Sequence, residues 1–249
     1  MLKSFFLALG FLTALPVPRG TAASSEGLRR TLAYFPLVGA VQGLILVAVD
    51  LALSTILPVS IVSALIIAVL ALTNYGLHLD GFADTIDGLA GGKTKEERLR
   101  IMRGGGIGPS AITALVILLL VKFLCVYSLP DDMRLAVIFL FPIAGRFAIV
   151  PLACRAPYAR EGEGLGKAFA GNTQNSLLIS IALFLALAIP FAGLAAFIVL
   201  LPIMFMALVS TAFFKSRLGG VTGDIFGFQS ELGEAVALLI MIIYNTVTG

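Results

Sequence analysis

The sequence predicts an all-α fold: a polytopic integral membrane helical bundle of about seven transmembrane helices plus a short N-terminal interfacial or re-entrant helix. Of its 249 residues, 59% are hydrophobic and only 12% charged, about half the charge of a soluble domain. Mean hydropathy is +1.05. Apolar runs near 20 residues, long enough to cross hydrocarbon as helix, recur along the whole chain, and barrel-type alternation is not apparent. Little polar sequence remains for a soluble domain, so residues 1–249 read as a single membrane-embedded domain.

The elements follow in order. Residues 4–15 are apolar but short for a span, which gives the interfacial or re-entrant helix. Met1-Leu2-Lys3 and this stretch resemble a signal peptide. The stretch runs into Leu15-Pro16-Val17-Pro18-Arg19 rather than a small-residue cleavage site, so it is expected to stay in the mature chain. Residues 19–32 form a polar loop with Arg19, Glu26, Arg29 and Arg30. Spans are expected at 34–54, 58–78, 110–129, 135–153, 176–191, 194–212 and 232–248. Pro190 and Gly193 mark a turn between the fifth and sixth.

The 88–109 loop has its own organisation. Gly88, Gly91 and Gly92 are expected to break the preceding helix. Thr94 with Glu97 reads as a capping box that starts a short helix through Arg103. Gly104-Gly105-Gly106-Ile107-Gly108-Pro109 leaves backbone N–H groups free for a ligand, and Gly108 is a candidate phosphate contact. Neither a Walker A nor a Rossmann context surrounds it.

The net charge is +3. This balance needs no nucleic acid, because the bases gather in loops on one side of the bundle. Lys93, Lys95, Arg98, Arg100, Arg103, Arg155, Arg160, Lys167, Lys215 and Arg217 all fall there. The turns near 55–57, 130–134 and 190–193 carry only Arg134. The positive-inside rule then places every long loop in the cytoplasm, with the lipid bilayer as partner. Cys125 and Cys154 have no metal or disulfide spacing and read as packing residues.

The strongest chemical signal is His78-Leu79-Asp80-Gly81-Phe82-Ala83-Asp84-Thr85-Ile86-Asp87-Gly88. On a helix, Asp80, Asp84 and Asp87 fall within an arc of roughly 60° and a length of roughly 10 Å. Three repelling carboxylates at a membrane edge need relief. Mg²⁺, which favours carboxylate oxygens, water and phosphate, supplies it. The plainer alternative is a solvated helix end paired with loop arginines. Gly219-Gly220-Val221-Thr222-Gly223-Asp224, with Glu231 and Glu234, suits a phosphate or metal contact, or else a flexible loop before a charged helix start.

Arg146 lies within an apolar span and calls for an anionic partner, either a phosphate or an aspartate of the stripe. Asp50 reads as structural or exposed on the outer side, and Lys122 as packing or snorkelling. His78 is either a general base or a hydrogen-bonded structural residue. Arg103, beside the glycine run, is the best phosphate candidate of its loop.

These motifs resemble cobalamin synthase, the adenosylcobinamide-GDP ribazoletransferase family of membrane enzymes. The resemblance is carried by Phe11-Leu12-Thr13-Ala14-Leu15-Pro16-Val17-Pro18, Tyr34-Phe35-Pro36-Leu37-Val38-Gly39, the aspartate motif, Arg100-Ile101-Met102-Arg103, Ile107-Gly108, and Gly219 to Asp224 with Glu231 and Glu234. Gly104-Gly105-Gly106 departs from it, standing where the family usually has an Asp-Ser-Arg-like triplet.

The resemblance implies that adenosylcobinamide-GDP and α-ribazole, or its 5′-phosphate, combine with loss of GMP in a Mg²⁺-dependent reaction. For that reaction, physical chemistry allots Mg²⁺ to Asp80, Asp84 and Asp87, completed by Asp224 and Glu231 from an opposite helix. Asp84 would orient or deprotonate the ribose 5′-hydroxyl, and Arg103 and Arg146, with Gly108 and Thr222, would hold phosphate. The expected location is the cytoplasmic (inner) membrane of a prokaryote, with the site facing the cytoplasm beside other cobalamin-assembly enzymes. Two other readings are another Mg²⁺-dependent membrane phosphotransferase and a cation transporter. A CDP-alcohol type would have Arg after the Ala, where Asp84 stands. A transporter would place its acids at the midplane.

Overall fold

The computed structural model describes residues 2–18, 25–161, 165–171 and 174–248; Arg19 of the N-terminal polar loop lies outside them. The described residues form an α-helical bundle. The helices are α1 (Leu2–Leu12), α2 (Ser25–Thr31), α3 (Phe35–Leu53), α4 (Val59–Leu72), α5 (Leu77–Gly91), α6 (Lys95–Ile101), α7 (Pro109–Tyr127), α8 (Asp131–Arg155), α9 (Gln174–Ala192), α10 (Ala195–Leu218) and α11 (Gly223–Thr248). Six helical stretches are long and apolar enough to cross a membrane: 27–53 and α7 to α11. The first runs through α2, a 3₁₀ turn and α3, so the C-terminal part of the expected polar loop is helical.

Helix α8 is the axis of the bundle, packed by α3, α9, α10 and α11. Every residue from Val137 to Ala153 is buried, as expected of a helix apolar all round. Close crossings depend on missing side chains. A Cβ on Gly39 of α3 would stand 2.6 Å from the Ile143 Cα of α8, so only glycine lets these backbones meet.

The structure corrects the expected 58–78 span. The helix stops at Leu72 and restarts at Leu77, and α4 and α5 are bent 84° apart. Tyr75 and Gly76 both take positive φ, 53° and 71°, and the Gly76 N–H donates to Asn74 Oδ1 at 3.1 Å. Helix α4 is the membrane-directed half. Helix α5 turns across its end, and we read it as lying outside the spanning segments. Gly88 does not break α5, which runs on to Gly91. Pro190 likewise lies inside α9, and the turn falls at Gly193 with φ 53°. The last span begins at Gly223 rather than 232.

That longer α11 carries Glu231 and Glu234 into the interior because both find cations there. Lys122 of α7 donates from Nζ to Glu231 Oε2 at 2.7 Å and to Glu234. Arg146 of α8 donates to Glu234 Oε1 at 2.8 Å and to Ser230 Oγ at 2.5 Å. Lys122 is therefore a buried ion-pair partner and neither packs among apolar groups nor snorkels. Arg134 is likewise no loop base. It is buried, with Nε 2.9 Å from Asp50 Oδ1 and Nη1 2.7 Å from the Val126 carbonyl. Asp50 accordingly has the structural role.

Candidate functional site

The aspartates do occupy one helix, α5, at helical spacing. Their surroundings separate them. Asp87 points to the start of α7, whose N-cap is Gly108 and lacks a capping side chain. Its carboxylate accepts the Gly108 N–H at 2.5 Å and the Ala111 N–H at 3.0 Å. Asp87 thus caps α7 from another helix, satisfying N–H groups that an N-terminus leaves open. The Asp87 carboxylate and the Gly108 N–H are thus engaged with each other.

Asp80 and Asp84 accept no hydrogen bond among the described residues. They are brought against the first turn of α11 by a crossing without side chains. A Cβ on Gly81 would lie 2.6 Å from the Asp224 carbonyl oxygen, and one on Gly227 would lie 3.0 Å from the His78 carbonyl oxygen. Burial, Asp80 and Asp224 push the Asp84 carboxyl up to about 6, with Arg160 opposing. Asp224 itself accepts from Arg160 Nη2 at 2.6 Å and from Thr222 Oγ1 at 3.2 Å. Thr222 is fully buried, and its oxygen accepts the Ile225 N–H at 3.4 Å as a helix start does. That makes Thr222 a cap at the start of α11.

Asp80, Asp224 and Arg160 border a cavity of about 700 Å³ between α1, α3, α5, α8 and α11. Its polar side includes Asp80, His78, Asp224, Arg103 and Arg160. Its apolar side is aromatic: Phe169 lies 4.8 Å from Phe11 and 5.6 Å from Phe35 by ring centroids. His78 is buried, and burial, then Arg146 and Lys122, hold its imidazole well below the usual range. Asn74 gives its Oδ1 to the Gly76 N–H and so presents Nδ2 to His78 Nδ1 at 3.3 Å. Nδ1 is then the acceptor and Nε2 carries the proton.

A second recess of about 360 Å³, lined by Lys95, Arg100 and Leu99 of α6, shares Arg103, Arg160 and Glu161 with the cavity. The Thr94–Glu97 capping box is present. Glu97 accepts the Lys93 and Thr94 N–H groups, which lower its carboxyl below the usual range. Arg98 ties α6 to the end of α10 through the Arg217 carbonyl, 3.2 Å from its Nη1.

Arg146 is fully buried and spends its contacts on Glu234 and Ser230, reaching neither a phosphate nor a stripe aspartate. Glu231 is held by Lys122. Among the described residues no three His, Cys, Asp or Glu side chains close into a ready-made metal cage. Mg²⁺ needs none, because it commonly binds one or two carboxylates and keeps water and substrate phosphate in its shell. Asp80 and Asp84, unpaired and beside Asp224, fit that pattern.

Sequence reasoning missed Arg160 and the aromatic wall. Arg160 was one base among many in the loops, and the phenylalanines were indistinguishable from core residues.

Fold and cavity together define a polytopic α-helical membrane protein with acids and arginines converging at one end of the bundle. The chain belongs to the cobalamin-5-phosphate synthase family, whose model matches residues 4–242. It is 35% identical over 249 residues to the adenosylcobinamide-GDP ribazoletransferase of Geotalea daltonii, covering 97% of this chain and 98% of the relative. The relative of the same name from Acetivibrio thermocellus is 33% identical, with 98% and 99% covered. That of Pseudomonas syringae pv. syringae is 36% identical, with 95% and 98% covered. No solved structure matches the chain significantly.

Proposed function

We propose that this protein is the adenosylcobinamide-GDP ribazoletransferase of its host. It joins adenosylcobinamide-GDP to α-ribazole or its 5′-phosphate and releases GMP, a late step of cobalamin assembly. The observation that carries the site assignment is the α5–α11 crossing, which sets Asp80 beside Asp224 on a cavity edged by Arg103 and Arg160, with Asp84 one turn further along α5.

In the reaction a nucleoside hydroxyl oxygen bonds to the phosphorus borne by the cobinamide. The bond from that phosphorus to the bridging oxygen breaks, and GMP leaves with the bridging oxygen. A family named for cobalamin 5-phosphate retains the 5′-phosphate, so the attacking group is a ring hydroxyl of the ribose and not the 5′-hydroxyl expected above.

Asp80 and Asp84 would hold Mg²⁺, which neutralises diphosphate charge when bound. Asp84 would also orient the attacking hydroxyl and take its proton. With its proton on Nε2, His78 serves as a hydrogen-bond donor to substrate oxygen rather than as a base. Arg103 holds phosphate at the rim. The cavity is too small for the whole corrinoid, so only the reacting end enters, from the face carrying the basic loops. The positive-inside rule supports a cytoplasmic orientation of that face in the inner membrane of a prokaryote.

The test is direct. Protein in nanodiscs is incubated with adenosylcobinamide-GDP, α-ribazole 5′-phosphate and Mg²⁺. The expected result is cobalamin 5′-phosphate with stoichiometric GMP, abolished by EDTA. Absence of product beside an active relative would refute the activity, and unchanged turnover in EDTA would refute the metal.

A further inference from the structure

We propose that Arg160 is a phosphate ligand held in reserve: its guanidinium occupies the Asp224 carboxylate until cation and substrate arrive, and then turns to the oxygens of the diphosphate. The inference rests on the reading of the site as Mg²⁺-dependent phosphoryl transfer.

The backbone beside Arg160 is fixed. The Ala159 N–H donates to the Val221 carbonyl at 2.9 Å, and the Val221 N–H donates to the Pro157 carbonyl at 2.8 Å. These bonds make the single parallel bridge, Tyr158 to Val221, seen among the described residues. The loop is thereby pinned to the segment that starts α11, and movement is left to the Arg160 side chain.

That side chain has capacity to spare. Nη2 is engaged with Asp224, while Nε is buried with no acceptor. A guanidinium offers a planar fork of donors matched to phosphate oxygens, and an unmet buried donor favours any ligand that brings an acceptor. The position suits the exchange. Arg160 borders both the 700 Å³ cavity and the 360 Å³ basic recess, and a substrate lying across this boundary presents its phosphates to it.

The chemistry gives the exchange its direction. Before loading, Arg160 is the cation that Asp224 pairs with, and the pair is mostly shielded, at 14% and 22% exposed. A divalent cation held by Asp80 and Asp84 would compete for the neighbouring Asp224 carboxylate. The guanidinium would then be free for the phosphate charge delivered with the substrate. Removing the guanidinium therefore has opposite effects on the two ligands. It relieves the competition against the cation and deletes a contact to the phosphate. An ion pair that served only to hold the loop would not separate them in this way.

The experiment uses full-length protein in nanodiscs, with Mn²⁺ binding read by electron paramagnetic resonance and GMP binding by calorimetry. In Arg160→Gln, Mn²⁺ without nucleotide should bind roughly tenfold more tightly. GMP in the presence of Mn²⁺ should bind roughly tenfold or more weakly. Arg160→Lys, which keeps the charge and the fold's ion pair, should restore Mn²⁺ affinity to the wild-type value and GMP affinity only in part. Unchanged or weaker Mn²⁺ binding in Arg160→Gln overturns the proposal, as does unchanged GMP affinity. If the opposed shifts occur in a protein that shows no ribazoletransferase turnover, Arg160 keeps its role and the assigned reaction falls. If turnover is normal and the shifts are absent, Arg160 loses its role and the reaction stands.

Discussion

Gly81→Ala tests how the site is assembled. The added Cβ would lie 2.6 Å from the Asp224 carbonyl oxygen and 2.9 Å from the Asp224 Cα, where a carbon–oxygen contact settles at about 3.4 Å. Both obstacles are backbone, so no rotamer relieves them. The helices must part by about 0.8 Å at the point where Asp80 and Asp84 face Asp224. Overpacking of this kind costs about 1–3 kcal/mol, and a misplacement near 1 Å can cost about 100-fold in turnover. Gly227→Ala meets the His78 carbonyl oxygen at 3.0 Å and should do less harm. Gly106→Ala meets nothing within 4 Å and should be neutral. Melting temperature and GMP release, measured on all three in nanodiscs, should rank them in that order. Wild-type turnover in Gly81→Ala would refute the argument that this crossing sets the acids in place.

Asp87→Ala removes the acceptor for two N–H groups at the start of α7. Stability should fall by about 0.5–2 kcal/mol and proteolysis within 92–108 should quicken, while Mn²⁺ affinity holds. Lys122→Met strands Glu231 and leaves Glu234 with Arg146 alone, which should cost about 3–5 kcal/mol. Lys122→Met combined with Glu231→Gln should recover part of the lost melting temperature. The Asp84 carboxyl, raised to about 6 by burial, Asp80 and Asp224, predicts a pH effect. The native state holds this proton more tightly than the unfolded chain, so its contribution to metal-free stability declines as pH rises from the unfolded value toward 6. Mn²⁺ competes with the same proton. Its affinity should therefore rise across roughly pH 5–7, a slope that Asp84→Asn should flatten when titrated alongside wild type.

What the sequence disclosed was local. The capping box of Thr94 and Glu97 is a relation three residues long, and the structure contains it. The aspartate stripe was legible because helical period alone puts Asp80, Asp84 and Asp87 on one face. The further fate of Asp87 was not legible, since its partners lie 21 and 24 residues on. Lys122 meets Glu231 and Glu234 across 109 and 112 residues, and nothing beside it in sequence announces a pair. Glu231 and Glu234 consequently read as a helix start, when burial against Lys122 and Arg146 lets α11 run through them. Asn74-Tyr75-Gly76 did carry a turn signal. It sat in an apolar stretch of spanning length, and length prevailed over punctuation. Arg160 was hidden for a related reason. The positive-inside rule accounts for every loop base alike, and it is the Tyr158–Val221 bridge beside it and its ion pair with Asp224 that single out this one.

We propose that Asp80 and Asp84, beside Asp224, hold the cation, with Asp87 and Glu231 outside that site. Mn²⁺ titration of the wild type, Asp80→Asn, Asp84→Asn, Asp224→Asn and Asp87→Asn tests that division most directly. Affinity should drop by about tenfold or more in the first three variants and stay near wild type in Asp87→Asn. Loss in Asp87→Asn equal to that in Asp84→Asn, or wild-type affinity in Asp84→Asn, would contradict it.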